Sequence, residues 1–568
     1  MRIWRYFHQF GGSGHNYLIP DNVEEAGLFE AGRVSPTNLG LLLNARQAAC
    51  ELGFLTAPEF VALTRRTLST IARLDKCRGH LYNWYDTQTL EPLTEQPFVS
   101  SVDSGNFVAS LLTLRSGALG LLHLPLLGHQ LFCGLRTHCQ LVRSRSMVPR
   151  PFAQLAPPAA DAVQATWLAW LHSARTAFAA ESSSAATHGE DSWWITETPH
   201  RVNAILTLVE EYLPWLQPEY APLHGLLDSA TDRPVDAQTI EEALTFCAHL
   251  DDRLAGAWPT LIENPSLAAL GERLRASVSS AARNLRDLDS GLRGIAQHAE
   301  HLVNATEFAF LADPVRKVLS IGYDVRAEKL HEACYDMIAS EARIATFLAI
   351  AHDEIHQQSW FKLSREHARA FGNFVLLSWT GTMFEYLMPA LWMRSYPNTL
   401  ISNTLTACVQ VQREFARRLN IPWGISESGA SRKDHLGHYH YQAYGVPQIA
   451  LWIEANAGPV VSPYSSFLAL SVDSVAALRN LRQMSSSGWV GAFGFYEAAD
   501  YSAGSGSPVL VREWMAHHQG MSLLAILNLL HDNLVQRWFH ANPQVQATEL
   551  LLQEMPVSTS VLKARLKE

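Results

Sequence analysis

A glutamate at position 427 stands in Ile-Pro-Trp-Gly-Ile-Ser-Glu-Ser (421–428), a short stretch marked by a proline, a ring and a glycine. A second, Glu341, stands in Tyr-Asp-Met-Ile-Ala-Ser-Glu-Ala-Arg-Ile-Ala (335–345), among apolar neighbours that demand burial. Two carboxyls held near aromatic rings are what glycosidic bond cleavage needs. One gives a proton to the leaving oxygen, and the other meets the positive charge growing at the sugar carbon. Met337, Ile338, Ile344 and Leu348 would share a helix face with Glu341 if residues 335–351 were helical. Burial there raises a carboxyl pKa, which suits a general acid; the structural alternative is an ion pair with Arg343. Around Glu427, Pro422 and Gly424 set a turn, and the hydroxyls of Ser426 and Ser428 would keep the carboxylate charged. That suits a nucleophile or charge stabiliser; the structural alternative is a cap or turn.

Other acids keep similar company. Glu385 lies in Ser-Trp-Thr-Gly-Thr-Met-Phe-Glu-Tyr-Leu-Met-Pro (378–389), and Glu497 in Gly-Phe-Tyr-Glu-Ala-Ala-Asp-Tyr (494–501). Asp103 follows Val-Ser-Ser-Val, and Trp84, Tyr85 and Asp86 form a polar-aromatic cluster. Each could meet sugar hydroxyls or serve the fold. His517 and His518 are adjacent, so on a helix they point about 100° apart and chelate one ion poorly. No metal site is expected. P-loop, GxGxxG, GxSxG and CxxC patterns are absent, which leaves nucleotide, dinucleotide and serine-hydrolase chemistry without support.

The elements that must position these groups are helical. Apolar spacing of three and four predicts helices over 39–52, 57–74, 109–124, 163–180, 200–216, 267–310, 335–351, 374–394, 405–419 and 511–530. Strand alternation is confined to short pieces such as Val315 to Ile321. The expected class is all-α, with helical hairpins closed into a ring and chemistry on the loops at one end. Ala179 to Trp194, rich in Ser and Ala, reads as a flexible surface loop.

Composition agrees. The chain has 568 residues, is 48% hydrophobic and 17% charged, and carries a net charge of −10, which argues against an extended nucleic-acid surface. Its seven cysteines lack paired spacing and read as reduced thiols. The N-terminal residues show no secretory h-region, and the apolar run 118–127 is too short to span a bilayer. A cytoplasmic location is expected.

An ordered set of motifs carries a resemblance. It comprises Ser-Pro-Thr-Asn-Leu-Gly (35–40), Arg-Gly-His-Leu-Tyr-Asn-Trp-Tyr-Asp-Thr (78–87), Val-Ser-Ser-Val-Asp-Ser-Gly-Asn (99–106) and Ser-Ile-Gly-Tyr (320–323). The two glutamate motifs follow, with Met-Phe-Glu-Tyr-Leu-Met-Pro (383–389), Gly-Phe-Tyr-Glu-Ala (494–498) and Met-Ala-His-His-Gln-Gly-Met-Ser (515–522). The chain resembles the middle, glycoamylase-like cyclisation domain of bacterial cyclic β-1,2-glucan synthases. More distantly, it is similar to endo-β-1,2-glucanases.

The resemblance implies a single (α/α)6 barrel over 1–568, with a helical insertion and loop at about 128–310. It implies a retaining transglycosylase that cuts β-1,2-glucan and joins the new end to the same chain. A stand-alone endo-β-1,2-glucanase is the alternative, and a non-catalytic glucan-binding module the next. By motif, Glu341 is the acid/base and Glu427 the nucleophile, with the reverse assignment open. The implied substrate contacts are Asp103, Trp84, Tyr85, Asp86, Tyr323, Trp379, Glu385, Tyr386, Trp423, Tyr439, Tyr496, Glu497, His517, His518 and Gln519. No cofactor is implied. The glycosyltransferase and phosphorylase-like parts of the synthases have no counterpart in these residues, so such parts of a split synthase are the further partners considered.

Overall fold

Apolar spacing becomes helix over Pro36–Glu51, Ala57–Arg73, Ser101–Leu121, Gln164–Glu181, Glu190–Tyr212, Pro265–Ala305, Leu400–Leu419 and Ala516–Leu530, each overlapping a stretch read from the sequence. This computed structural model describes residues 1–144, 153–181, 190–223, 238–452, 458–502 and 507–555. The side chains of 180–192 lie outside that description, and with them most of the expected Ser/Ala-rich loop. The chain is helix-rich, and short antiparallel strands of two to six residues supplement the helices.

Three stretches depart from expectation. The helix predicted over 335–351 runs only from Arg343 to Ala351. Ser340, at φ +49°, is left-handed and interrupts the chain just before Glu341. The apolar spacing there reports burial instead: Tyr335, Ala339 and Ala342 cluster with Val102, Ile321 and Trp379. The helix predicted over 374–394 begins as a hairpin, His367–Ala370 against Asn373–Leu376. Phe371 (φ 48°) and Gly372 (φ 86°) supply the two left-handed residues that a tight hairpin turn needs. Helix then covers only Met383–Leu387, followed by a 3₁₀ turn at Met388–Leu391. The strand predicted at 315–321 forms later, at Gly322–Asp324. The last predicted helix starts at Ala516, because 509–511 and 513–515 join sheets.

The described residues fall into two packing units. One comprises Met1, 46–66 and 117–297. Its helix His129–Arg143 buries Leu131, Phe132, Leu135 and Val142, and Phe132 stacks on Trp167 at 4.9 Å. Helix Ile240–Leu261 opens with a capping box between Thr239 and Glu242. Arg201, a buried residue, bridges Glu59 at 2.6 Å and Glu197 at 2.8 Å.

The other unit comprises 2–45, 67–116 and 298–568, and it holds both catalytic candidates. Strand Asn22–Glu24 lies between Phe29–Glu30 and Glu513–Met515, with Glu24 opposite Glu513. Strand Ser428–Lys433 pairs with Tyr439–Gln442, placing Gly429 opposite Tyr441. Ala498–Asp500 runs between Val460–Val461 and Val509–Val511. A Cβ at Gly105 would sit 2.7 Å from that of Ala345, so glycine lets the start of helix 343–351 close on helix 101–121. Among the described residues no helix is long and apolar enough to cross a membrane. The seven cysteines are free, four of them buried.

The Arg201 bridge has a measurable consequence. Burial pushes the Glu59 carboxyl up, but Arg201 and Thr56 outweigh it and hold the group below its ordinary value. Its contribution is therefore complete above the unfolded carboxylate range and is lost as pH falls through the folded value. Arg201→Leu leaves Glu197 and Glu59 uncompensated and is expected to cost roughly 3–5 kcal/mol at neutral pH. Urea unfolding of both proteins at pH 7 and pH 4 checks this; the difference narrows at pH 4.

Candidate active site

The loop that carries Glu427 is clamped from behind by buried amides. Gln412, on helix Leu400–Leu419, donates to Ile425 O at 2.8 Å and accepts from Ile425 N at 2.9 Å. Asn480 treats Trp423 the same way, at 2.7 and 3.3 Å. Each side chain thus replaces a missing neighbouring strand. Gly424 adopts φ +118° and a Cβ there would meet Ser465 Oγ at 2.3 Å, so glycine is required.

Glu427 emerges from this clamp half-buried. Tyr441, from the paired strand, donates its hydroxyl to Oε1 at 3.0 Å, and His517 Nε2 stands 3.4 Å from the same hydroxyl. The expected serine partners are corrected. Ser426 Oγ accepts from Phe384 N at 3.0 Å and meets Tyr464 Oη at 2.7 Å, while Ser428 Oγ donates to Ser426 O. Both hydroxyls are spent on the loop, and the carboxylate is served by a tyrosine instead.

Glu341 sits in the turn before helix 343–351 and is 5% exposed. Asn106 Nδ2 donates to its Oε1 at 2.8 Å, and Ser340 Oγ lies against Oε2. Asn106 also donates to Thr37 Oγ1 at 3.1 Å, which in turn donates to Asp103 Oδ1 at 2.6 Å. The ion pair considered with Arg343 does not form. That guanidinium donates to the carbonyls of Glu385 and Tyr386.

The carboxyls share one electrostatic field. Burial, with a smaller push from Asp103, raises Glu341 to about 7 against the donors Ser340 and Asn106. Burial, then Glu341 and Glu385, raise Glu427 to about 8 while Tyr441 opposes. Glu341 is thus one of the charges that push Glu427 up, second to burial.

The other expected contacts divide. Asp103 is half-buried beside Glu341 through Thr37 and Asn106. Trp379 is half-buried and stacks on Tyr335 at 5.5 Å, and Tyr335 feels the charges of Glu341 and Asp103. His517 reaches Tyr441. The remaining groups are held within the fold as follows.

Glu385 closes a capping box with Thr382 and also accepts from Ser378 Oγ at 2.8 Å. Tyr386 is buried, donating to Leu376 O, and Trp423 is buried behind the loop. Tyr85 is buried with its hydroxyl on Asp75 O, and Asp86 accepts from the backbone of Gln88 and Thr89. Trp84 lies under the Arg33 guanidinium at 4.8 Å, and Tyr439 under Lys433 at 4.4 Å. Tyr323 meets Phe310 edge-on, and buried Tyr496 donates to Glu25 at 2.6 Å. Glu497 and His518 are buried and bond to each other at 2.8 Å, and Gln519 is buried on the same helix.

Sequence reading missed Tyr441, Tyr464 and Asn106. Asn106 lay within a quoted motif, and Tyr441 sits two residues from Tyr439 on the strand paired with Ser428–Lys433. Tyr464 carried no local signal. Among the described residues no group of three or more His, Cys, Asp or Glu is placed to hold a metal ion.

Residues 334–543 match the Glycoamylase family model, described as "Putative glucoamylase". Across 97% of its length the chain is 32% identical to the cyclic beta-(1,2)-glucan synthase NdvB of Rhizobium meliloti (strain 1021), spanning 18% of that protein. An endo-beta-1,2-glucanase from Chitinophaga pinensis, solved with sophorotriose and glucose, aligns at TM-score 0.56 and 12% identity, over 97% of this chain and 96% of that one. A mutant endo-beta-1,2-glucanase from Talaromyces funiculosus, solved with beta-1,2-glucan, aligns at 0.55 and 11%, over 97% and 88%. At these identities the structures share a fold. Residues 334–543 carry a glycoamylase-like domain, the match that makes this a glycoside hydrolase-type enzyme.

The raised Glu427 value makes a prediction that does not depend on any reaction. As pH rises above the unfolded carboxylate range, the unfolded chain releases this proton while the folded chain retains it, so stability falls. Glu427→Gln removes that loss. The variant is expected to gain about 1–3 kcal/mol over the native protein at pH 8, allowing for partial exposure, and little near pH 5. Denaturant titrations at both pH values check it, and equal gains at both would refute it.

Proposed function

We propose that this chain cleaves β-1,2-linked glucan and transfers the glycosyl unit within the same molecule, giving cyclic β-1,2-glucan, with Glu341 as acid/base and Glu427 as nucleophile. The observation that carries the reading is the unequal setting of two carboxyls in one field. Glu341 is almost fully buried, which favours its neutral form even though Asn106 and Ser340 each donate to one of its oxygens. Glu427 is half-buried and takes the Tyr441 hydroxyl, a donor that favours its anion.

The titration values run the other way, about 7 for Glu341 and about 8 for Glu427. The greater exposure of Glu427 decides here. Burial is the largest push on Glu427, and the next two come from Glu341 and Glu385, whose own values are raised; a protonated neighbour exerts no such push.

In the first step the Glu427 carboxylate bonds to the sugar C1. The C1–O bond breaks, and Glu341 delivers its proton to the leaving oxygen. In the second, a hydroxyl at the non-reducing end of the same chain gives its proton to Glu341 as its oxygen displaces Glu427 from C1. Two inversions retain configuration, and no water is consumed. The support is the likeness to a cyclic glucan synthase across nearly the whole chain. The proposal includes an (α/α)6 barrel with a helical insertion at about 128–310, a cytoplasmic location, and operation beside the glycosyltransferase and phosphorylase-like parts of a synthase. The second reading, an endo-β-1,2-glucanase, is favoured by the shared fold with glucanases. There, water replaces the sugar hydroxyl in the second step.

Incubation with linear β-1,2-glucan separates the readings. Ring products without new reducing ends are expected, whereas a stoichiometric rise in reducing ends would overturn cyclisation in favour of hydrolysis. Glu341→Gln and Glu427→Gln are each expected to lower kcat by about 10³-fold or more. With azide, Glu341→Ala is expected to give the β-glucosyl azide and Glu427→Ala the α-azide; the opposite pairing would reverse the roles. Tyr441→Phe removes the donor that lowers the Glu427 pKa, so the acid limb of kcat/KM is expected to move up by up to about one unit.

A further inference from the structure

Behind Glu427 lies a buried chain of side chains that the proposed chemistry does not use. Tyr464, on helix Pro463–Leu468, donates its hydroxyl to the main-chain carbonyl of Glu427 at 2.9 Å. The same oxygen meets Ser426 Oγ at 2.7 Å, and Ser426 in turn accepts from Phe384 N. The hydroxyl of Tyr464 therefore ties the strand bearing Glu427 to the short helix Met383–Leu387.

The ring of Tyr464 is held in its own right. His518 lies flat on it, with centroids 3.7 Å apart and planes 12° from parallel. Such contact along a whole ring face fixes the tyrosine against rotation about its side-chain axis. His518 is fixed by Glu497, which meets Nδ1 at 2.8 and 2.9 Å. Glu497 Oε1 also accepts from Gly429 N at 3.3 Å, two residues beyond Glu427. Both His518 and Glu497 are at most 2% exposed, so neither can touch a substrate directly.

We propose that His518 is a positioning residue for Glu427: oriented by Glu497 and laid against Tyr464, it fixes the tyrosine whose hydroxyl holds the catalytic main chain. This rests on the reading of Glu427 as catalytic. Glu497 fastens the same strand at two points, through His518 and Tyr464 at residue 427 and through its own oxygen at residue 429. A side chain reaching from this strand loses aim if either fastening gives way, and a displacement of about 1 Å at a reacting group can cost on the order of 10²-fold in rate.

The test measures kcat and KM separately on linear β-1,2-glucan, with melting temperature as the folding control. Tyr464→Phe removes one oxygen and keeps the ring; it is expected to lower kcat about 10- to 100-fold with KM within about threefold of native. His518→Phe keeps a flat ring on Tyr464 but loses the Glu497 bond, and the same split is expected. Glu497→Ala is expected to match it, while Glu497→Gln, which can still bond Nδ1, restores kcat to within about threefold.

Native kcat in Tyr464→Phe overturns the proposal, as does a Glu497→Gln variant as impaired as Glu497→Ala, which would indicate a role for charge. Should His518→Phe fail to fold, the single-atom change at Tyr464 decides alone. Full activity in Glu427→Gln would instead remove the catalytic reading on which the proposal stands, a result distinct from either of the others.

Discussion

Crowding carboxyls out of water is the constraint on which the site-bearing unit depends. Glu341, Glu385, Glu497 and Glu513 are all at most 5% exposed, and Glu427 stands among them half-buried. Burial is the largest cause of the upward shift at every one of these five. Few full positive charges answer them. Arg33 pairs with Asp21 and Lys433 stands 3.9 Å from Glu24, while Arg343 is turned onto carbonyls. The unit instead meets its acids with neutral donors: Asn106 at Glu341, Tyr441 at Glu427, Asn22 at Glu513, and the Thr382 cap at Glu385. Neutral donors lower the cost of burial without cancelling the charge, so protons remain on some groups near neutral pH. An acid that must both give and take a proton needs such an environment. A lysine or arginine bonded directly to Glu341 would hold it ionised and end its use as an acid.

The same economy of charge appears in the backbone. The strand and loop around Glu427 lie where regular pairing runs out, and Gln412 and Asn480 complete it with side-chain amides. Each amide offers one donor and one acceptor at the spacing of a peptide group, so it satisfies both backbone groups of one loop residue. Such clamps add no field of their own. They hold the carboxylate in place while its protonation remains set by the neighbouring acids.

The helices were legible because their apolar periodicity is long, and the motif pair around Glu341 and Glu427 because burial and turn residues mark it. The errors share one cause. At 335–342 and 374–382, apolar residues recur at helical spacing, yet the backbone is turned by Ser340, Phe371 and Gly372, and burial comes from tertiary contacts. Periodicity records which residues are inside, and cannot distinguish a helix from a folded-back loop when several elements supply the cover. Aromatic residues misled for a related reason. Tyr386, Tyr85 and Trp423 stand beside catalytic-looking acids in the chain, but each has its polar group or backbone fastened inside the fold. Tyr441 and Tyr464, which do hold Glu427, come from a partner strand and a separate helix. Their relation to it exists only after pairing.

Cyclisation and hydrolysis ask the same thing of these carboxyls. Under the roles proposed here, both need a neutral acid at Glu341, an anion at Glu427 and an intermediate held at C1, and the two diverge only in which oxygen arrives next. The acids set the barrier common to both routes. The outcome is set by how well a sugar hydroxyl is presented at C1 relative to water, which is a matter of effective concentration and alignment. On the proposed reading, the groups that govern that choice are those facing the acceptor. Substitutions that move a chain of this fold between the two outcomes therefore belong at such positions. They would leave Glu341, Glu427 and the brace behind them untouched.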